Sequence, residues 1–158
     1  MDTQSLSLRP IRKADEAFLS KLYASTRQDE MAQSGWPREQ IDAFLEMQFQ
    51  AQHKYYQEQF HGAAFDLILH GGDLVGRLYV ERRSDELRII DIAILPEHRG
   101  KGIGSHYLRQ VMEEAGEAGK PVRIHVEVNN PAMTLYKQLG FKKTGETGVY
   151  YLMEWTGH

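Results

Sequence analysis

The spacing of apolar positions changes once along the chain, near residue 64. Upstream, Leu6 and Leu8 alternate with Ser7 and Arg9 before Pro10, the signature of a short strand. Phe18, Leu19, Leu22 and Tyr23 then recur at helical spacing behind Asp15, an acid suited to a first helical turn. Gly35-Trp36-Pro37 interrupts this helix, and Pro37 suits the first turn of the next. In that second helix Ile41, Phe44, Leu45, Gln48, Phe49 and Gln52 follow the i, i+3, i+4 pattern, with an end near Phe60.

Downstream the period shortens to two. Ala64–Leu69 and Leu74–Arg82 read as strands joined by a Gly71-Gly72-Asp73 hairpin turn, and Leu87–Leu95 is a β-branched run stopped by Pro96. Ile103, Tyr107, Leu108, Val111, Met112 and Ala115 trace one helical face, closed by Gly116, Gly119 and Pro121. Val122–Val128 is a strand, and Asn130-Pro131 opens a short helix that Gly140 ends. Phe141–Thr144 and Val149–Trp155 form a last strand pair. The predicted order is β-α-α-β-β-β-α-β-α-β-β: an α/β fold with a mixed sheet, in one domain spanning 1–158.

Composition narrows the function classes. The chain has 158 residues, 41% apolar and 26% charged, ordinary values for a globular protein. No cysteine is present, which excludes disulfides, thiolate metal sites and a cysteine nucleophile. A net charge of −3 argues against a nucleic-acid partner. The apolar runs are too short for a membrane helix, and the first ten residues lack the features of a signal peptide, so the expected location is cytoplasmic. Seven histidines occur without His-x-x-x-His spacing, so no metal is expected.

The segment Ile92-Ala93-Ile94-Leu95-Pro96-Glu97-His98-Arg99-Gly100-Lys101-Gly102-Ile103-Gly104 carries the clearest chemistry. A buried strand runs into a loop with alternating glycines and two cations, and a helix begins there. Glycines let backbone N–H groups converge on an anion, and a helix N-terminus adds unpaired donors and partial positive charge. A phosphate cradle is expected. A tight strand-to-helix turn with solvated cations is the simpler alternative. Neither the dinucleotide fingerprint nor the Walker loop fits, because the next required glycine is replaced by Ser105 or Tyr107, and Lys101 precedes Gly102.

Arg99-Gly100-Lys101-Gly102-Ile103-Gly104 resembles the acetyl-CoA loop of the GCN5-related N-acetyltransferase (GNAT) superfamily, Arg/Gln-x-x-Gly-x-Gly/Ala. The strand before it and the later Asn129-Asn130-Pro131-Ala132-Met133-Thr134-Leu135-Tyr136-Lys137-Gln138-Leu139-Gly140-Phe141 are also similar to that family, and the likeness covers essentially the whole chain. The resemblance implies acetyl-CoA wedged between the strands around 87–95 and 122–128, with acetyl transfer to an amine by direct attack in a ternary complex. It implies that Ile92, Ala93 and Ile94 pair with the pantetheine arm. The amides of Arg99, Gly100, Lys101, Gly102, Ile103 and Gly104, with Ser105, would hold the pyrophosphate. Asn129 has the family spacing to Tyr136 for a cofactor contact. Asn130, one residue on, could exchange with it, although Asn130 before Pro131 is also a natural helix cap.

Tyr136 alone would read as a core aromatic; the resemblance makes it the donor that meets the departing thiolate. The attacking amine needs a base, and Asp91, His125 and Glu127 are the candidates, with Tyr79 and Glu81 weaker. Each has a structural alternative: Asp91 paired with Arg88 or Arg123, and His125 and Glu127 facing solvent. Trp36, His53, Tyr55, Tyr56 and Phe60 could line an amine pocket, but packing of Tyr55, Tyr56 and Phe60 onto the sheet is the favoured reading. The rival function is a non-catalytic acyl-CoA-binding module. A homodimer through late strands is plausible, with no interface specified.

Overall fold

The computed structural model describes residues 5–157. Its elements follow the predicted order: β1 (Leu6–Pro10), α1 (Glu16–Ala32), α2 (Arg38–Gln59), β2 (Ala63–His70), β3 (Asp73–Arg82), β4 (Leu87–Ile94), α3 (Ile103–Ala118), β5 (Val122–Glu127), α4 (Met133–Gln138), β6 (Lys142–Thr147) and β7 (Tyr150–Trp155). The seven strands form one sheet in the order β1-β2-β3-β4-β5-β7-β6. Only β4 and β5 are parallel; the other neighbours are antiparallel. The sheet is therefore mixed, as the pattern predicts.

Helices cover both faces. Leu19, Tyr23, Phe49 and Leu45 of α1 and α2 pack with Leu67 of β2 on one side. Ile103, Tyr107, Leu108 and Val111 of α3 and Tyr136 of α4 pack with Val80, Ile89, Ile124 and Met153 on the other. The period of two is plain in β5, where buried Val122, Ile124 and Val126 alternate with Arg123, His125 and Glu127. Asp15 joins β1 to α1: Arg9 donates to both its carboxylate oxygens at 2.8 and 2.9 Å, and the Arg12 N–H adds a third bond at 2.7 Å.

Strand ends shift by a residue or more, most in β6, which runs to Thr147 instead of stopping at Thr144, and two helix starts also differ from expectation. Pro37 lies just before α2, where its missing N–H costs nothing, instead of inside it. Helix α4 begins at Met133, because residues 130–132 form a turn closed by the Met133 N–H on the Asn130 carbonyl at 3.0 Å.

The feature that positions the site is where β4 and β5 part. Their ladder has three pairs, Leu87–Val122, Arg88–Arg123 and Ile89–Ile124. On the other side of β4, Tyr79 opposes Asp91 while Val80 opposes Ile89, so Ile90 is the extra residue of a β-bulge. A bulge bends its strand and increases local twist. From Ile90 onward β4 stays with β3 and leaves β5, which continues along β7 to Glu127. Gly76 keeps β3 close here, since a β-carbon at that position would lie 2.3 Å from the Ala93 carbonyl oxygen. Among the described residues, no helix is long and apolar enough to cross a membrane.

Candidate functional site

The open end of the β4–β5 seam collects most of the residues singled out in the sequence. The first group is the loop from Pro96 to Gly102. Arg99 anchors it by donating from Nε to the Ile94 carbonyl at 2.9 Å. Gly100 and Gly102 both have left-handed backbones, with φ of +75° and +83°. Gly102 starts α3 without a side-chain cap, and the first helical bond runs from the His106 N–H to the Gly102 carbonyl at 2.9 Å. The N–H groups of Ile103, Gly104 and Ser105 thus remain as free donors. No acid occupies this first turn to neutralise its positive end. Ile103 is only 1% exposed and pins the turn into the core, while Lys101 and Arg99 are exposed. At Gly100 and Gly104 a β-carbon would meet no protein atom within 4 Å, so the surface there is open to an incoming group. The arrangement fits an anion with several oxygens.

The second group is the edge of β4. Ile92, Ala93 and Ile94 pair with Leu78, Arg77 and Gly76 of β3, and their other edge has no strand partner. An extended ligand carrying amides can add there as a strand would. Ile92 and Ile94 pack toward the α3 side of the sheet.

Asn129 and Asn130 follow β5 and are both exposed. Asn130 caps the turn: its Oδ1 accepts the Ala132 N–H at 2.8 Å. Asn129 makes no such bond. Tyr136 is 3% exposed, with its ring edge-on to Phe141 at 5.8 Å. Burial pushes its phenol well above the ordinary range, and the Asp91 charge adds to that shift. Its hydroxyl makes no hydrogen bond among the described residues. Nor is it one of the fully enclosed unpartnered polar atoms, which are His53 Nδ1, Tyr79 Oη and His98 Nδ1. The ring is core, as the packing reading has it, and the hydroxyl is not fully enclosed.

Asp91 pairs with neither Arg88 nor Arg123. Its partner is Arg77 of β3, which donates from Nε to Oδ2 at 2.6 Å and meets the same oxygen through a terminal nitrogen. Arg77 is 3% exposed, also donates to Gln52 Oε1 of α2 at 2.8 Å, and lies over the Tyr79 ring at 4.8 Å. Burial works against its charge, but Asp91 together with the Tyr79 and Tyr56 phenols raises its pKa nonetheless. Arg88 and Arg123 instead bind Glu86.

His125 and Glu127 share the solvent-facing side of β5, but they differ in position. His125 sits at the closed end, where Arg88 donates to its Nδ1 at 2.7 Å, which leaves the proton on Nε2. Burial and then the Arg88 charge hold its pKa below the ordinary value. Glu127 lies beyond, opposite Tyr150 of β7. Of the weaker base candidates, Glu81 pairs with Arg83, and Tyr79 has its hydroxyl enclosed. Arg77 was not singled out in the sequence, and Gln52 entered only as a position on the face of the second helix. The available signal was a lone arginine in the apolar run Leu74-Val75-Gly76-Arg77-Leu78-Tyr79-Val80.

Known proteins share this fold. A family profile described as the Acetyltransferase (GNAT) family matches residues 20–141. An N-alpha-acetyltransferase of Sulfurisphaera tokodaii is 36% identical over 66 residues, which cover 40% of this chain and 40% of that protein. An N-acetyltransferase 8B of Mus musculus is likewise matched over 40% of its own length, so the chain aligns with under half of either curated relative. Among solved structures, the PaiA N-acetyltransferase of Thermoplasma acidophilum in complex with coenzyme A has a TM-score of 0.72 at 17% identity, over 96% of this chain and 99% of that one. Naa50 of Arabidopsis thaliana, in complex with the bisubstrate analogue CoA-Ac-MVNAL, has a TM-score of 0.60 at 20% identity, over 96% and 99%. The fold is theirs, and with its profile match extending from α1 to the start of β6 the chain belongs to the GNAT acetyltransferase family.

Proposed function

We propose that the chain is an acetyl-CoA-dependent N-acetyltransferase that moves an acetyl group to a primary amine by direct attack in a ternary complex, with residues 1–158 acting as one domain. The observation that carries this reading is the wedge between β4 and β5. It has uncapped helix donors at its mouth and the Asp91 and Tyr136 side chains beside it. The N–H groups of Gly100 to Ser105, with Arg99 and Lys101, hold the pyrophosphate. The free edge of Ile92–Ile94 takes the pantetheine amides, and Asn129 reaches the cofactor while Asn130 stays a cap.

Acetyl-CoA supplies an activated acyl group. The acceptor, an ammonium at neutral pH, gives up one proton before the attack and a second in it; a nitrogen–carbon bond forms, a carbon–sulfur bond breaks, and the departing thiolate takes its proton from solvent. Asp91 and Glu127 are placed to take the amine proton, directly or through water. His125 is a poor base in this arrangement, since its free nitrogen already carries a proton. Tyr136 meets the sulfur. A phenol pushed above its usual ~10 is a weaker acid than a thiol near ~8.5, so Tyr136 stabilises the thiolate by donating a hydrogen bond without surrendering its proton. The names of the relatives support an amine as acceptor.

Thiol release from acetyl-CoA against a panel of amines tests the reading. Turnover is expected with at least one amine, and binding of acetyl-CoA with none turned over would overturn it. Tyr136→Phe keeps the ring and removes the hydroxyl. Loss of a hydrogen bond to a charged group predicts a fall in kcat of about 10- to 100-fold, with acetyl-CoA affinity and melting temperature near the parent's.

A further inference from the structure

Tyr56 has no part in the chemistry above, yet it faces the same gap from the α2 side. Gln52 and Tyr56 are one turn apart on α2 and present the same side toward β3. Gln52 holds Arg77, and the Tyr56 ring packs edge-on against Tyr79 at 6.0 Å. Tyr79 is the cross-strand partner of Asp91, and Arg77 bridges the two by covering the Tyr79 ring and binding the Asp91 carboxylate. Both Arg77 contacts fall on Oδ2, so Asp91 Oδ1 is left without a hydrogen bond among the described residues. The Tyr56 hydroxyl is also without one, and unlike Tyr79 Oη it is not enclosed. Burial raises the Tyr56 phenol, and the Asp91 charge adds to that shift. Tyr56, Tyr79, Arg77 and Asp91 therefore form one connected cluster on the α2 side of the sheet.

We propose that Tyr56 is an acceptor-binding residue: its hydroxyl and Asp91 Oδ1 together hold the incoming primary ammonium on the α2 side of the gap. This rests on the acetyltransferase reading. An ammonium has three donors and no acceptor, and these two oxygens are free acceptors. The aromatic face of Tyr56 favours a cation in addition. The buried cation nearby, Arg77, is already engaged by Asp91 and Gln52. The space suits an amine with no carboxylate beside it, such as a peptide N-terminus or an alkyl amine, and disfavours a free amino acid.

Steady-state kinetics on the full chain test this with acetyl-CoA and three acceptors: butylamine, an alanyl tetrapeptide with an amidated C-terminus, and free alanine. Tyr56→Phe is expected to raise KM for the accepted amine about tenfold, the loss of one hydrogen bond to a charged group, with kcat and the acetyl-CoA KM within about twofold of the parent. Tyr55→Phe, at an exposed neighbouring ring, leaves all three values unchanged. An unchanged amine KM in Tyr56→Phe, with the parent active, overturns this assignment alone, whatever the variant's melting temperature. So does a loss confined to kcat, and free alanine as the best acceptor overturns the substrate class. A parent that turns over no amine overturns the acetyltransferase reading and this one together.

Discussion

The two ends of the β4–β5 seam are built from the same strands and treat their polar groups in opposite ways. At the closed end, charged side chains satisfy one another. Glu86, 5% exposed, accepts from Arg88 Nε at 2.7 Å and Arg123 at 3.1 Å, with Arg83 at 3.7 Å. Arg123 also donates to Glu154 at 2.7 Å, and Lys120 caps the Arg83 carbonyl at 2.9 Å. At the open end, the edge of Ile92–Ile94, the N–H groups of Ile103 to Ser105, Asp91 Oδ1 and the hydroxyls of Tyr56 and Tyr136 have no partner among the described residues. Buried or half-buried polar groups are normally paired. A cluster of unpaired ones beside a closed, paired region is consistent with the proposed ligand site. The bulge at Ile90 separates the two regimes.

The largest effect is expected from breaking the open end at its glycine loop. Gly102 is left-handed, and a β-branched residue there is a genuine conformational outlier. Gly102→Val must shift the backbone that presents the helix donors. Acetyl-CoA affinity measured by calorimetry should fall on the order of 100-fold, about 2.7 kcal/mol, with melting temperature lowered by only a few degrees. Parental affinity in a folded variant would mean that the loop is a turn and no cradle.

Breaking the closed end should act on stability instead. Glu86→Ala leaves Arg88 and Arg123 without their shared carboxylate. Removing one partner of a buried pair costs ~3–5 kcal/mol, but these arginines keep some solvent, so about 2 kcal/mol is expected. That corresponds to a melting temperature lower by about 5 °C for a chain of this size. Thermal unfolding of the variant checks it, and an unchanged melting temperature would show that the hub adds nothing to the seam.

The same contrast explains what could be read in the sequence. The glycine loop, the α3 face and the Gly71-Gly72 hairpin depend on local spacing, and they stand where expected. Asp91 with Arg77 was out of reach, because their contact is between strands and depends on register. The bulge also breaks the alternation along β4: Asp91 does face away from Ile92, but the inserted Ile90 prevents the pattern from being carried through from Leu87. Arg88 and Arg123 seemed natural partners for Asp91, but Glu86, which the hydrophobic pattern passes over, takes both. Tyr56 was legible only as an aromatic in a helix that also carries Tyr55 and Phe60. In the structure Tyr55 is 54% exposed, and Tyr56 turns toward Tyr79. The choice between two adjacent tyrosines is set by helix rotation on the sheet, which packing of Leu45 and Phe49 decides.

His125 stands at the boundary, and its substitution should give the smallest effect while sharpening the comparison. The Arg88 bond to Nδ1 belongs to the closed end, and burial and that charge lower the imidazole pKa in the folded state from 6.5. As pH falls below 6.5 the unfolded chain takes up a proton that the folded one still refuses. Stability therefore declines from that pH down through the folded value. The slope is shallow because His125 is exposed and solvent screens the interaction. Melting temperatures between about pH 7.5 and 5 should fall more steeply for the parent than for His125→Gln. Parallel curves would mean that the Arg88 contact does not form in solution. Catalysis supplies the second half of the test. A base at position 125 would give His125→Gln a kcat/KM profile without its acid limb. A histidine that only belongs to the closed end leaves that limb in place.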